Sequence, residues 1–174
     1  MKPGDIILTY SGSLFSRAIR WVTTRLGNDI IMTHSAIVID SNYFVESNIK
    51  ARISPIESLE SNKYYEIWSN ELLSDVERSN IVNTSRSYFD RVYSIPKIVT
   101  HALDAILGKI FLKDIFLFRK LTKSDEYIIC SWIVSCAYTK IGINFTDPYY
   151  ASTPDNIHDF ITSNPSWKLV FKGV

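Results

Sequence analysis

The run Ser35-Ala-Ile-Val-Ile39, the polar triplet Asp40-Ser-Asn42 and the run Tyr43-Phe-Val-Glu-Ser47 commit this chain to an antiparallel hairpin. Both runs carry β-branched or aromatic residues suited to a pleated, half-buried surface, and Asp, Ser and Asn supply the turn. A three-residue loop sets Ile39 opposite Tyr43 and Ala36 opposite Glu46. His34 then becomes the diagonal neighbour of Glu46 on the same sheet face, about 7–8 Å away between backbones. A slip of one residue would send Glu46 to the opposite face, so register decides whether an imidazole and a carboxylate meet.

A second segment, Tyr127-Ile-Ile-Cys-Ser-Trp-Ile-Val-Ser-Cys-Ala-Tyr138, reads as a helix. Cys130, Ile133, Val134, Ala137, Tyr138 and Ile141 fall at i, i+3, i+4, i+7, i+8 and i+11, and Gly142 stops the run. Cys130 lies in the first turn, where unpaired N–H groups and the positive end of the helix dipole favour a thiolate. A free thiol is only about 3% ionised at pH 7, and making the thiolate the majority form takes about 2.7 kcal/mol. The helix end contributes about 0.3–1 kcal/mol, so an imidazolium has to supply the rest. His34 is the candidate partner and Glu46 the candidate group that orients it. Thiol, imidazole and carboxylate together are the parts of a cysteine-dependent hydrolase or acyl transferase. Taken singly, each also fits a plainer role: a buried small hydrophobe, a half-exposed strand residue and a solvated strand end.

Several ordered patterns resemble one family, the permuted papain-like amidases called YaeF/YiiX-like, a circularly permuted branch of the NlpC-type cysteine peptidases. Lys2-Pro-Gly-Asp-Ile-Ile-Leu8 with Ser13-Leu-Phe-Ser-Arg-Ala-Ile-Arg-Trp21 is similar to the family's opening strand and first helix. Thr33-His-Ser-Ala-Ile-Val38 resembles its histidine strand, Phe44-Val-Glu-Ser47 its acidic strand and Tyr127-Ile-Ile-Cys-Ser131 its nucleophile motif. Ser152-Thr-Pro-Asp-Asn-Ile157 is similar to the Pro-Asp segment that follows the cysteine helix. The resemblance implies an α+β, circularly permuted papain-like fold, with a small antiparallel sheet packed against the nucleophile-bearing helix and flanking helices. It implies Cys130 as nucleophile, His34 as general base and Glu46 as orienting residue, in an order reversed from papain. A helix-start backbone N–H, Ser131 and Tyr10 are the candidate oxyanion or substrate contacts. The expected substrate is a peptide or cell-wall-like amide; an acyl-lipid esterase or transferase and a non-catalytic binding module are the other readings.

A chain of 174 residues, 46% hydrophobic and 13% aromatic with six glycines, predicts one ordered domain over 1–174. A formal charge of +1 gives no pull toward nucleic acid, and the number of subunits has no sequence signature. Met1-Lys-Pro-Gly-Asp runs directly into Ile6-Ile-Leu-Thr-Tyr10 without a secretory pattern, so a cytoplasmic location is expected. Cys130 and Cys136, about 9 Å apart along one helix and on different faces, are expected to be free thiols, with Cys136 an inert packing residue. No metal-ligand spacing appears, and no metal or cofactor is expected; His101 and His158 read as structural.

Elsewhere the pattern predicts a helix carrying Leu14, Ala18, Ile19 and Val22, and a third strand over Tyr64 to Ile67. It also predicts a helix from Asn70 or Ser74 toward Tyr93, a helix starting at Pro96, and a last strand over Trp167 to Phe171. The stretch from about 96 to 121 is strongly apolar, yet Asp104, Lys109, Lys113 and Asp114 break any run long enough to span a bilayer. Lys97 to Lys123 holds six basic residues against two acidic ones. This composition fits helices packed on the core, or a lid, acyl-chain groove or peripheral lipid-facing surface.

Overall fold

The computed structural model describes residues 1–10, 32–48, 50–62, 64–111, 115, 117–124 and 128–173, with backbone alone for Lys109. The helix expected over Ser13 to Trp21 lies outside the described residues, as does Tyr127. Strands β1 (Ile6–Tyr10), β2 (His34–Val38), β3 (Tyr43–Ser47), β4 (Ala51–Pro55), β5 (Tyr64–Asn70) and β6 (Trp167–Gly173) form one antiparallel sheet in the order β4-β3-β2-β1-β5-β6. The helices are α1 (Asp75–Arg86), α2 (Ile95–Phe111), α3 (Cys130–Thr139) and α4 (Pro154–Ser163). The architecture is α+β, with the sheet packed against α3 and its flanking helices.

Alternation sorts the strand residues between two faces. Ile6, Leu8, Ile37 and Val45 join Trp132, Ile133, Ala137 and Tyr138 of α3 and Ile157 and Ile161 of α4 in the main core. Ile7, Ala36, Val38, Phe44 and Ile67 form a smaller cluster on the other face, covered by Leu59. Nine consecutive residues of α3, Cys130 to Tyr138, are buried, so this helix is held on all sides. Tyr138 fixes its far end by donating its hydroxyl to the carbonyl of Gly4 at 2.5 Å. Gly4 has φ +85, a conformation that glycine adopts without steric cost. Beyond α3, Gly142 takes φ +84 while its N–H bonds the Thr139 carbonyl, closing the helix as the sequence predicts.

Several element boundaries differ from the sequence pattern. The strand expected over Tyr64 to Ile67 is the fifth and runs to Asn70, because Trp68 to Asn70 pair with Leu169 to Trp167 across a bulge. β4 had no distinct signal: only Ala51 and Ser54 of its five residues are buried. α1 begins after Ser74, whose side chain and Glu77 form a reciprocal capping box, and ends at Arg86 instead of continuing toward Tyr93. The chain is drawn out of helical form there by β4, since Ala51 N–H bonds the Arg91 carbonyl and Asp90 N–H bonds the Ala51 carbonyl, both at 2.8 Å. Ile81, Val82 and Tyr88 are buried as expected of apolar positions, whereas Val76 and Phe89 face solvent.

α2 turns its pattern inside out. Lys97, Thr100, His101 and Asp104 are buried, while Ile95, Val99, Leu103, Ile106 and Ile110 are exposed. Two of the inward polar groups are hydrogen-bonded, Asp104 accepting from the N–H groups of Phe118 and Arg119 at 2.8 Å each and Thr100 bonding Thr122 at 2.9 Å, whereas His101 Nε2 is buried without a hydrogen-bond partner among the described residues. Lys97 sets its ammonium over the Trp132 ring of α3, 3.3 Å from the centroid. No helix among the described residues is long and apolar enough to cross a membrane.

Candidate active site

Cys130 is the first residue of α3, and Ile129 before it supplies no side-chain cap. First-turn N–H groups therefore remain available to an anion at this end. His34 opens β2 and Glu46 lies in β3, with Ala36 opposite Glu46 and the Ile39 N–H bonded to the Tyr43 carbonyl at 2.8 Å. This is the register that makes His34 the diagonal neighbour of Glu46. Their side chains meet, with His34 Nε2 2.9 Å from Glu46 Oε2.

The carboxylate is fixed from its other side. Glu46 Oε1 accepts from Arg52 Nε at 2.9 Å, Arg52 Nη2 at 2.7 Å and Ser54 Oγ at 2.7 Å. Oε2 is thus presented to the imidazole, and His34 has Nδ1 left for the sulfur. Cys130 and Glu46 are buried, and the His34 side chain, 22% exposed, is the most open of the three.

Burial opposes charge on all three groups, and their mutual contacts overcome it. For His34, desolvation is outweighed by the Cys130 sulfur charge, the hydrogen bond to it and the Glu46 carboxylate, which lift the imidazole to about 10. For Cys130, burial is outweighed by attraction and hydrogen bonding to His34, with help from the backbone N–H groups of Ser35 and Ser131, so its thiol lies below the ordinary range. For Glu46, burial is outweighed by His34, Ser54 and Arg52, which hold the carboxyl at about 2. These contacts favour the charged form of each of the three groups.

Tyr93 adds a group that the sequence pattern did not single out. Its hydroxyl hydrogen-bonds the Cys130 sulfur, and its own ionisation is pushed up by burial and by the nearby sulfur charge. A parallel bridge between Tyr93 and Ile128, and a 2.8 Å bond from Ser94 N–H to the Ile128 carbonyl, lay this residue alongside the approach to α3. Arg52 and Ser54 were likewise unmarked; their i, i+2 spacing in Ala51-Arg-Ile-Ser-Pro55 was the available signal.

Of the other candidates, Ser131 turns its hydroxyl inward, donating to the Ser152 carbonyl at 2.8 Å, so only its N–H faces the sulfur. Tyr10 ends β1, one residue beyond Thr9, the strand partner of His34, and pairs with Tyr64. The Ser152 to Ile157 segment braces the site from behind: Ser152 holds Ser131, and Thr153 and Asn156 form a capping box on α4 with Pro154 at its start. Cys136 is a buried thiol in no disulfide, its sulfur 3.0 Å from the Tyr88 hydroxyl. His158 reaches Glu66 at 3.4 Å, and His101 is buried in α2.

A thiol at a helix N-terminus, set against a histidine on the neighbouring sheet, defines a papain-like α+β arrangement, here with the histidine strand preceding the cysteine helix. The chain is similar in fold to the crystal structure of metalloprotein yiiX from Escherichia coli O157:H7, with a TM-score of 0.66 and 16% sequence identity over 99% of this chain and 97% of that one. No family model matches the sequence, and no curated protein matches it. Among the described residues, no three His, Cys, Asp or Glu side chains are grouped to hold a metal ion.

Proposed function

We propose that this protein is a cysteine-dependent hydrolase that cleaves an amide bond, of a peptide or cell-wall-like kind, through an acyl-enzyme on Cys130. The observation that carries the reading is the hydrogen-bonded series Cys130–His34–Glu46, in which burial is overcome and charge is favoured at every member. The thiolate attacks the carbonyl carbon, and its electron pair forms the carbon–sulfur bond as the carbonyl oxygen becomes an oxyanion. His34, protonated on Nδ1, then gives that proton to the leaving nitrogen as the carbon–nitrogen bond breaks. Water, deprotonated by the now neutral imidazole, attacks the thioester and returns the site to its starting state. Glu46 keeps the ring oriented and compensates its charge throughout.

The oxyanion draws on donors that already surround the sulfur. The Ser131 N–H and the Tyr93 hydroxyl both contact the Cys130 sulfur, and they are the donors this reading assigns to the oxyanion. The exposed apolar face of α2, which follows Tyr93 directly, favours a second substrate class: the acyl ester or amide of a lipid, cleaved by the same series. Faster turnover of long-chain esters than of peptide amides would select it.

The test is the pH-dependent rate of iodoacetamide alkylation at Cys130 and Cys136 separately, read by peptide mass spectrometry, in the native chain and in His34→Ala. Rapid labelling of Cys130 near neutrality, lost in the variant while Cys136 stays slow, is expected. Equal, slow labelling of both cysteines in the native chain would end the catalytic reading and leave a binding module.

A further inference from the structure

α2 presents to solvent the side that a surface helix ordinarily buries. At about 100° per residue, Ile95, Val99, Leu103, Ile106 and Ile110 fall in one stripe about 80° wide. Ile95 and Ile110 are 70% and 65% exposed. Leu117 and Leu121, at 65% and 74%, are also exposed, on the segment that Asp104 ties to the helix. The opposite side of α2 is occupied by Lys97, Thr100, His101 and Asp104, all buried, so the helix cannot turn over to hide its apolar stripe without exposing that bonded network. The outward stripe is therefore fixed.

Charge around the stripe identifies its occupant. Among the described residues between Ile95 and Ser124, the exposed charged side chains are Lys120 and Lys123, both basic, while Asp104 is buried against Arg119. An exposed apolar stripe with exposed lysines on the segment tied to it matches the layering of a bilayer surface, apolar chains beneath anionic headgroups. Among the described residues of this stretch, a second copy of the chain would offer those lysines no exposed acidic side chain. Phe89 and Val92, in the segment that precedes the helix, are 56% and 73% exposed.

We infer that the outer face of α2, with Leu117 and Leu121, docks peripherally on anionic membrane surfaces and sets the mouth of the Cys130 site at headgroup level. Tyr93, which bonds the Cys130 sulfur, stands two residues before α2, and Lys97 of α2 covers Trp132, two residues beyond Cys130. The docked helix and the sulfur are thus neighbours. Docking does not depend on the catalytic reading, and Cys130→Ala is expected to bind vesicles as the native chain does.

The experiment is flotation of the full chain with phosphatidylcholine vesicles, with and without 30% phosphatidylserine. Two lysines at an anionic surface predict about 30-fold stronger partitioning onto the phosphatidylserine vesicles. Replacing Val99, Ile106 and Ile110 together by serine should lower partitioning on those vesicles at least 100-fold, with circular dichroism and melting unchanged because the side chains are exposed. Lys120→Glu with Lys123→Glu should abolish the preference for anionic vesicles, and an Ile106→Trp probe should shift its emission to the blue on binding. Absence of flotation, equal flotation on both compositions, or self-association in sedimentation velocity that the triple variant relieves would each overturn the assignment.

Discussion

Replacing Glu46 by glutamine tests whether the carboxylate works through the imidazole. The native Oε2 meets His34 Nε2 at 2.9 Å, while Arg52 and Ser54 occupy Oε1. A glutamine amide presents one oxygen and one NH2 group, so it either keeps the bond from His34 and sets its NH2 against Arg52 and Ser54, or does the reverse. In both orientations the imidazolium loses its counter-charge. A hydrogen bond to a charged group contributes about 1.5–3 kcal/mol, equal to about a 10- to 150-fold change in the proportion of Cys130 held as thiolate. The alkylation profile of Cys130 should therefore move upward by about one to two pH units, with the rate at high pH little altered and Cys136 unaffected. A Glu46→Gln profile that overlays the native one, while His34→Ala displaces it, would show that the carboxylate does not act through the imidazole.

Three further predictions follow from individual contacts. Tyr93→Phe removes the hydroxyl on the sulfur and leaves the backbone bridge to Ile128; turnover of an activated p-nitrophenyl ester should fall about 100-fold in kcat with KM little changed. Glu46 and Glu66 are both held at about 2, Glu66 by bonds from His158, Tyr64 and Trp68 that outweigh its burial. Their contributions are complete above the ordinary value of 4.5 and are lost as pH falls toward 2, so chemical denaturation should show stability dropping across that window and a Glu46→Gln/Glu66→Gln variant should respond far less. Asp104→Ala leaves the Phe118 and Arg119 backbone N–H groups without their acceptor and removes the carboxylate 3.6 Å from the buried Arg119 guanidinium, at a cost of about 3 kcal/mol or more measurable by urea unfolding.

The parts of the site legible in the sequence are those set by short-range geometry. Three turn residues between two β-rich runs determine the pairing of Ala36 with Glu46, and helical spacing alone puts Cys130 in a first turn. Tyr93 was not legible because it lies outside the named strands and helices and is brought to the sulfur by a bridge to Ile128, far along the chain. β4 was missed for a different reason: as an edge strand it has one polar-facing side, and its buried Ser54 is selected by Glu46 rather than by a core. In α2 the helical period was visible but its direction was not. Apolar residues ordinarily mark the inner face, and here Lys97 over Trp132 and Asp104 on the Phe118 and Arg119 N–H groups place the polar face inside.

His34 is the contact that most favours charge on the Cys130 sulfur, and that dependence has a measurable signature. The helix end provides about 0.3–1 kcal/mol toward the thiolate, and the Ser35 and Ser131 N–H groups add to it, yet burial of the sulfur works against them all. Once His34 is replaced by alanine, burial has no imidazolium to oppose it, and Cys130 should react more slowly near neutrality than an unhindered cysteine thiol. Glu46 bonds the His34 ring, and on the three-residue reading its influence on Cys130 passes through that ring. Adding Glu46→Gln to His34→Ala should consequently change the Cys130 alkylation profile no further, although each change alone shifts it. Additive shifts would mean that the carboxylate acts on the sulfur as a distant charge, and would replace a three-residue series with two independent influences on one thiol.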